Sequence, residues 1–141
     1  MPTLTDVAAV RLRFQVNDAT AVPDTLVAAA LEDAEAELLP RIDAGIDTAH
    51  PDARLALGAA LLAGAHVFRA LAAGEAHDAQ ELSIGGQRLY AGDRFRSLQA
   101  LASEAEQRAW TVLAPCLAAP PRTPPLTATP TQAVFDAPEE D

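Results

Sequence analysis

The stretch LALGAALLAGAHVF, residues 55–68, decides the fold of this chain. It carries no charged residue and is apolar around the whole circumference of a helix, which is typical of a helix that its neighbours cover on every side. Its 14 residues are too few to cross a bilayer. We therefore expect a buried central helix that has Pro51 in its first turn, runs to about Ala73 and ends at Gly74.

Small residues within this stretch predict close packing between helices. Ala56, Ala60 and Gly64 are four residues apart and therefore share one face of the helix. Gly58 and Gly64 each lower the helix propensity by about 1 kcal/mol relative to alanine, a cost that close packing can offset. Alanine fills 33 of the 141 positions and aromatic residues make up only 4%. The core is thus expected to consist of closely approaching helices, and the fold class to be all-α.

Apolar residues at helical spacing predict two helices before the central one. Thr3 or Thr5 caps the first, which runs to about Phe14. Asp24 caps the second, whose outer surface is acidic and which ends or kinks near Leu39, because a proline follows and removes a helical hydrogen bond.

A fourth helix is predicted from the cap Asp93 to about Leu113. Steps of three and four residues produce one continuous apolar stripe along it: Phe95, Leu98, Ala102, Ala105, Ala109 and Val112. The expected domain, residues 1–114, is therefore a small bundle of about four helices. From Pro115 onward the chain holds seven of its eleven prolines, and we expect residues 115–141 to be an extended or disordered tail.

The segment ELSIGGQRLY, residues 81–90, predicts one short β-hairpin between the third and fourth helices. Its two glycines fit a two-residue turn, and the alternation of side chains places three apolar residues on one face: Leu82, Ile84 and Leu89. So short a hairpin is marginal in water without a cover for that face. The cover is either the helices of the same domain or a neighbouring subunit, in which case the strand edges could also pair between chains.

No group of residues predicts an enzyme, a metal site or a cofactor site. His66, inside the central helix, is more readily explained as a packed core residue than as a catalytic base. His77 and Asp78 are expected in a loop and lack a second pair of metal ligands at helical spacing. Cys116 has no histidine partner in the sequence and is interpreted as an apolar thiol, and the two glycines of the hairpin match no phosphate-binding loop.

The charge of the chain argues against tight binding to nucleic acid. The net charge is −10, and all ten cationic residues are arginine. Affinity for phosphate backbones derives from clustered cations, which a net acidic chain supplies poorly. The N-terminus lacks a basic-then-apolar signal pattern, and a single cysteine cannot form an internal disulfide. Synthesis in a reducing cytoplasm is therefore expected, with no membrane partner.

The order of these elements resembles a family of viral proteins. Residues 4–14 (LTDVAAVRLRF), residues 23–39 (PDTLVAAALEDAEAELL), a buried alanine-rich helix, residues 83–90 (SIGGQRLY) and a final helix follow one another. This arrangement is similar to that of the head-tail connector, or adaptor, proteins of tailed bacteriophages and prophages. The resemblance covers roughly residues 3–113.

The resemblance implies a structural virion protein of the neck, made in the cytoplasm of a bacterial host. Such subunits form a ring, a dodecamer in the virion, that lies beneath the portal protein and above the next neck or tail-completion protein. DNA would pass through the acidic ring without specific binding. C-terminal segments of connectors contact neighbouring subunits or the portal, so Val134 and Phe135 are the expected docking point of the tail. The apolar face of the hairpin is a second expected contact.

Two other hypotheses remain from the sequence. The chain could be a small acidic helical chaperone or a regulatory module that binds another protein through its second helix, although such acidic surfaces are more often simply solvated. An enzyme built around His66 or His77 is the third hypothesis.

Overall fold

The computed structural model describes residues 3–81 and 91–119 and confirms an all-α fold. Its four helices are α1 (Val7–Phe14), α2 (Asp24–Leu38), α3 (Ala53–Glu81) and α4 (Ala91–Leu113). No β-strand occurs within these two ranges. The predicted hairpin, apart from its first residue, and residues 120–141 of the predicted tail lie outside the described residues.

The central position of α3 is confirmed. Residues of α3 from Leu55 to Val67 are buried along almost their whole length, and α1, α2 and α4 all pack on this helix. By length and composition the part Ala53–His77, which has 25 residues, could cross a membrane, since its most apolar 18-residue window has a mean hydropathy of 1.7. Within the fold 61% of its most apolar window is buried, as expected for a core helix covered by its neighbours.

The predicted end of the third helix at Gly74 is wrong, because α3 continues to Glu81. Glu81, expected to begin the hairpin, is thus the last residue of this helix. Beyond Gly74 the sequence consists mostly of good helix formers, and α4 lies alongside, with the guanidinium of Arg94 3.0 Å from the Glu75 carboxylate. Packing and propensity together outweigh the cost of one glycine.

All four predicted helix starts need correction. Asp6, and neither Thr3 nor Thr5, is the N-cap of α1, because its carboxylate accepts a hydrogen bond of 2.7 Å from the Ala9 amide. Asp24 is the first helical residue of α2, and its side chain pairs with an arginine instead of capping. At α3 the carboxylate of Asp52 accepts from the Leu55 amide at 2.7 Å, so Pro51 precedes the helix. α4 begins at Ala91, so Asp93 lies in its first turn and does not cap it.

The segment that follows α2 pairs with the C-terminal end of the described residues. As predicted from Pro40, α2 ends at Leu38, and a 3₁₀ turn follows (Leu39–Arg41). A second 3₁₀ turn, Ala114–Cys116, follows α4 and buries Cys116. Extended residues then pair through the bridge Ile42–Leu117, the Asp43 amide donating to the Cys116 carbonyl at 3.0 Å and the Ala118 amide to the Arg41 carbonyl at 2.9 Å.

The sequence predicts that the chain leaves the core at Pro115, but the core extends to Cys116. Cys116 is 4% exposed and belongs to the hydrophobic core, because a 3₁₀ turn tolerates the proline that an α-helix would not. The division of the chain into residues 1–114 and 115–141 otherwise remains a prediction.

Candidate subunit-contact surface

Two large apolar side chains stand out as exposed among the described residues. Leu12 on α1 is 72% exposed and Leu101 on α4 is 45% exposed. Leu12 borders a shallow groove of about 220 Å³ between α1 and the start of α3, where four small or apolar residues contribute to the lining: Ala53, Ala56, Leu57 and Ala60. The groove and Leu12 together form an apolar patch, which we call the α1 patch.

Leu12 and Leu101 belong to helices that pack on different sides of α3. Gly64 of α3 lies directly against the ring of Phe14 on α1, whereas Gly58 lies directly against the side chain of Leu113 on α4. Six residues separate the two glycines, which places them about 120° apart around the helix axis. Helix α1 therefore packs against the predicted close-packing stripe at Gly64, and α4 packs against α3 at Gly58.

A larger groove runs along α2. It has a volume of about 560 Å³ and contains apolar residues together with two glutamates. Its lining residues are Thr3, Val7, Ala28, Leu31, Glu32, Glu35, Ala36 and Leu39. The Leu4 amide donates a 2.6 Å hydrogen bond to Glu35, which fixes the N-terminal segment as one wall. We call this surface the α2 groove.

His66 lies between α2 and α3 and not in a reaction pocket. It is half-buried, and its Nε2 atom is inaccessible to solvent and lies 3.4 Å from the Glu37 carboxylate without a well-formed hydrogen bond. His66 lines neither the α2 groove nor the groove of the α1 patch. These contacts fit the predicted packed core histidine better than a general base, which would need access to a substrate.

Charged side chains near His66 connect three helices. Arg69 of α3 hydrogen-bonds Glu106 of α4, and this bond is the main reason why the pKa of the Glu106 carboxyl is below its ordinary value. Arg41 lies 3.6 Å from Glu37 and stacks over the ring of Trp110, 4.8 Å from its centroid. The network is paired and partly exposed, as is typical of a structural role.

Among the described residues, the remaining candidates for chemistry form no metal site. His77 and Asp78 lie within α3, not in the predicted loop. No group of three or more His, Cys, Asp or Glu side chains within the described ranges could hold a metal ion. Burial raises the pKa of the Cys116 thiol, which disfavours the reactive thiolate and fits the predicted apolar thiol.

One polar residue that organises the connection between α1 and α2 was not predicted from the sequence. Arg11 of α1 donates to the carbonyls of Val16 and Val22 at 2.8 and 2.5 Å and pairs with Asp24 of α2 at 2.6 Å. It thereby closes the loop that joins α1 to α2. Arg11 occurs beside Arg13 in a helix with polar neighbours, so no pattern in the sequence distinguishes it.

The contact residues expected from the sequence, Leu82, Ile84, Leu89, Val134 and Phe135, all lie outside the described residues and stay predictions. Searches against family models, curated proteins and solved structures found no match. The exposed surfaces above are therefore the basis for a functional proposal.

Proposed function

We propose that this protein is a head-tail connector subunit of a tailed bacteriophage or prophage that assembles into a ring under the portal. The observation that carries the proposal is the placement of the two exposed leucines, Leu12 and Leu101, on helices that pack on different sides of α3. A surface used to bind a copy of itself about a two-fold axis needs one patch, whereas a ring needs two different patches that meet head to tail.

The two patches fit the requirements of such a contact. Leu12 has a long side chain, projects from a short helix and is largely exposed. The groove beside it, which completes the α1 patch, is lined by small alanines. In the ring that we propose, Leu101 of one subunit packs against the α1 patch of the next. Burial of a leucine side chain stabilises a contact by roughly 1.5–3 kcal/mol, enough to matter when every subunit makes it twice.

The charge of the chain suits a channel for DNA. With a net charge of −10, a closed ring of these subunits repels the phosphate backbone and lets DNA pass without adhesion. The segments 82–90 and 127–141 are proposed to add contacts with the neighbouring subunit and the portal, through Leu82, Ile84, Leu89, Val134 and Phe135. The next neck or tail-completion protein would bind the opposite rim.

The test is assembly of the purified full chain, alone and mixed with the portal protein encoded in the same genome. Light scattering and negative-stain imaging should reveal rings alone or on the portal. Leu12→Asp and Leu101→Asp should each abolish them, because a buried unpaired carboxylate is costly. Asn17→Asp, in the loop after α1, and Ala100→Asp on α4 add the same charge at exposed positions outside the groove and should leave assembly intact.

Mixing the two leucine variants tests the head-to-tail geometry. Each variant retains one good patch, so an equimolar mixture should form heterodimers and no rings, whereas neither variant alone should dimerise. Absence of rings and of portal binding by the parent protein would overturn the proposal. A pull-down that recovers a basic or amphipathic client and no virion protein would instead support the chaperone or regulator hypothesis.

A further inference from the structure

We propose that the α2 groove is the binding site of this chain's own segment 120–126 (PPRTPPL), folded back along α2 in the same subunit. The groove is an apolar cleft of about 560 Å³ on the surface, bordered by the carboxylates of Glu32 and Glu35. The inference is independent of the connector proposal, since it concerns a contact within one subunit.

The point at which the described chain ends directs the segment to this groove. The Ala118 amide donates to the Arg41 carbonyl at 2.9 Å, and Leu117 pairs with Ile42. Leu39, two residues before Arg41, lines one end of the groove. The last described residues therefore pair with a segment that begins only two residues after Leu39.

The length of the segment matches the length of the groove. Its prolines favour an extended polyproline II conformation, in which the eight residue steps from Ala118 to Leu126 cover about 25 Å. Along α2 and its 3₁₀ turn, the thirteen steps from Arg41 back to Ala28 cover about 20 Å at a helical rise of 1.5 Å per residue. Leu126 can thus reach the far end of the groove, near Ala28 and Leu31.

The chemistry of the segment is complementary to that of the groove. Arg122 is the only cation in residues 120–141. It follows Ala118 by four residues, about 12 Å in the same extended conformation, which brings it level with Glu35 and Glu32. The rigid prolines lower the entropy lost on binding, and the apolar side chain of Leu126 would cover the Leu31 end of the cleft.

Disulfide trapping in the full-length protein tests the proposal. The variant Ala28→Cys with Leu126→Cys should form a disulfide within one chain under mild oxidation, roughly tenfold faster or more than a control in which the two cysteines meet only by chance. The control is Asp33→Cys with Leu126→Cys, since Asp33 is exposed on α2 but lies outside the groove. Non-reducing gels separate monomers from dimers, and peptide mass spectrometry identifies the paired cysteines, including native Cys116.

Charge reversal provides the second measurement. Glu32→Arg or Arg122→Glu alone should slow trapping of the Ala28–Leu126 cysteine pair, and the two together should restore part of the rate. Disulfide-linked dimers would overturn the proposal in favour of a segment donated by a second copy. Equal trapping rates for the Ala28 and Asp33 variants, with unchanged circular dichroism, would overturn the contact altogether.

Discussion

Gly58 of α3 lies so close to the side chain of Leu113 on α4 that no Cβ atom fits between them. Leu113 is fully buried, and Arg69–Glu106 and Glu75–Arg94 pair farther along the same two helices. The long contact between α3 and α4 therefore begins at a position where only a glycine permits the observed approach.

Gly58→Ala should destabilise the fold by roughly 1–2 kcal/mol. Overpacking of a core typically costs about 1–3 kcal/mol, and the better helix propensity of alanine returns up to about 1 kcal/mol. Urea denaturation followed by far-UV circular dichroism measures the difference. Gly74→Ala is the matched control, because nothing lies within 4 Å of a Cβ placed there. The control should be stabilised by up to about 1 kcal/mol, and an equal gain for Gly58→Ala would contradict the contact with Leu113.

Gly64→Ala should also destabilise the fold, since the added methyl group would overlap the ring of Phe14. That ring cannot move aside freely, because it packs edge-on against Phe68 with the ring centroids 5.2 Å apart. We expect a loss of roughly 1–3 kcal/mol. In a double-mutant cycle, Phe14→Leu should cost less in the Gly64→Ala background than in the parent protein. Strict additivity of the two free-energy changes would show that the residues do not touch.

Arg11→Met should lower the free energy of unfolding by roughly 1–3 kcal/mol, because it leaves two carbonyl acceptors and the Asp24 carboxylate without their donor. Methionine keeps most of the aliphatic stem, so the change isolates the guanidinium. Arg13→Met on the exposed side of α1 removes the same charge and should change stability by less than about 0.5 kcal/mol. Similar losses for both variants would assign the effect to net charge.

The positions of the four helices could be predicted largely from apolar periodicity. The stretch at residues 55–68 identified α3 as the central helix, and the stripe of α4 has its alanines buried as expected, Ala102, Ala105 and Ala109. The spacing of apolar residues predicts which side chains of a helix are buried, because the face on which they lie must pack against the core.

Contacts between distant residues could not be predicted in this way. The continuation of α3 past Gly74 depends on α4 lying alongside, and the pairing of Ile42 with Leu117 joins residues that are far apart in the chain. Residue preference sets only a weak local bias, which tertiary packing overrides. For the candidate surface, helical spacing places Leu12 about 200° around α1 from Val10, which agrees with an exposed Leu12 and a buried Val10. The groove beside Leu12, in contrast, depends on contacts between α1 and α3 that local spacing does not report.

Glu106→Gln should reduce stability at neutral pH but not in acid. The hydrogen bond from Arg69 lowers the pKa of the Glu106 carboxyl in the folded protein. The pair therefore contributes its full stabilisation above the unfolded-state pKa of about 4.3 and loses it as the pH falls through the lower folded-state pKa. Because both side chains are partly exposed, we expect a loss below about 1 kcal/mol at neutral pH. Chemical denaturation at neutral pH and near pH 3 measures it, with Glu104→Gln on the same helix as the control, and a loss that persists undiminished at low pH would contradict a charge-dependent contact.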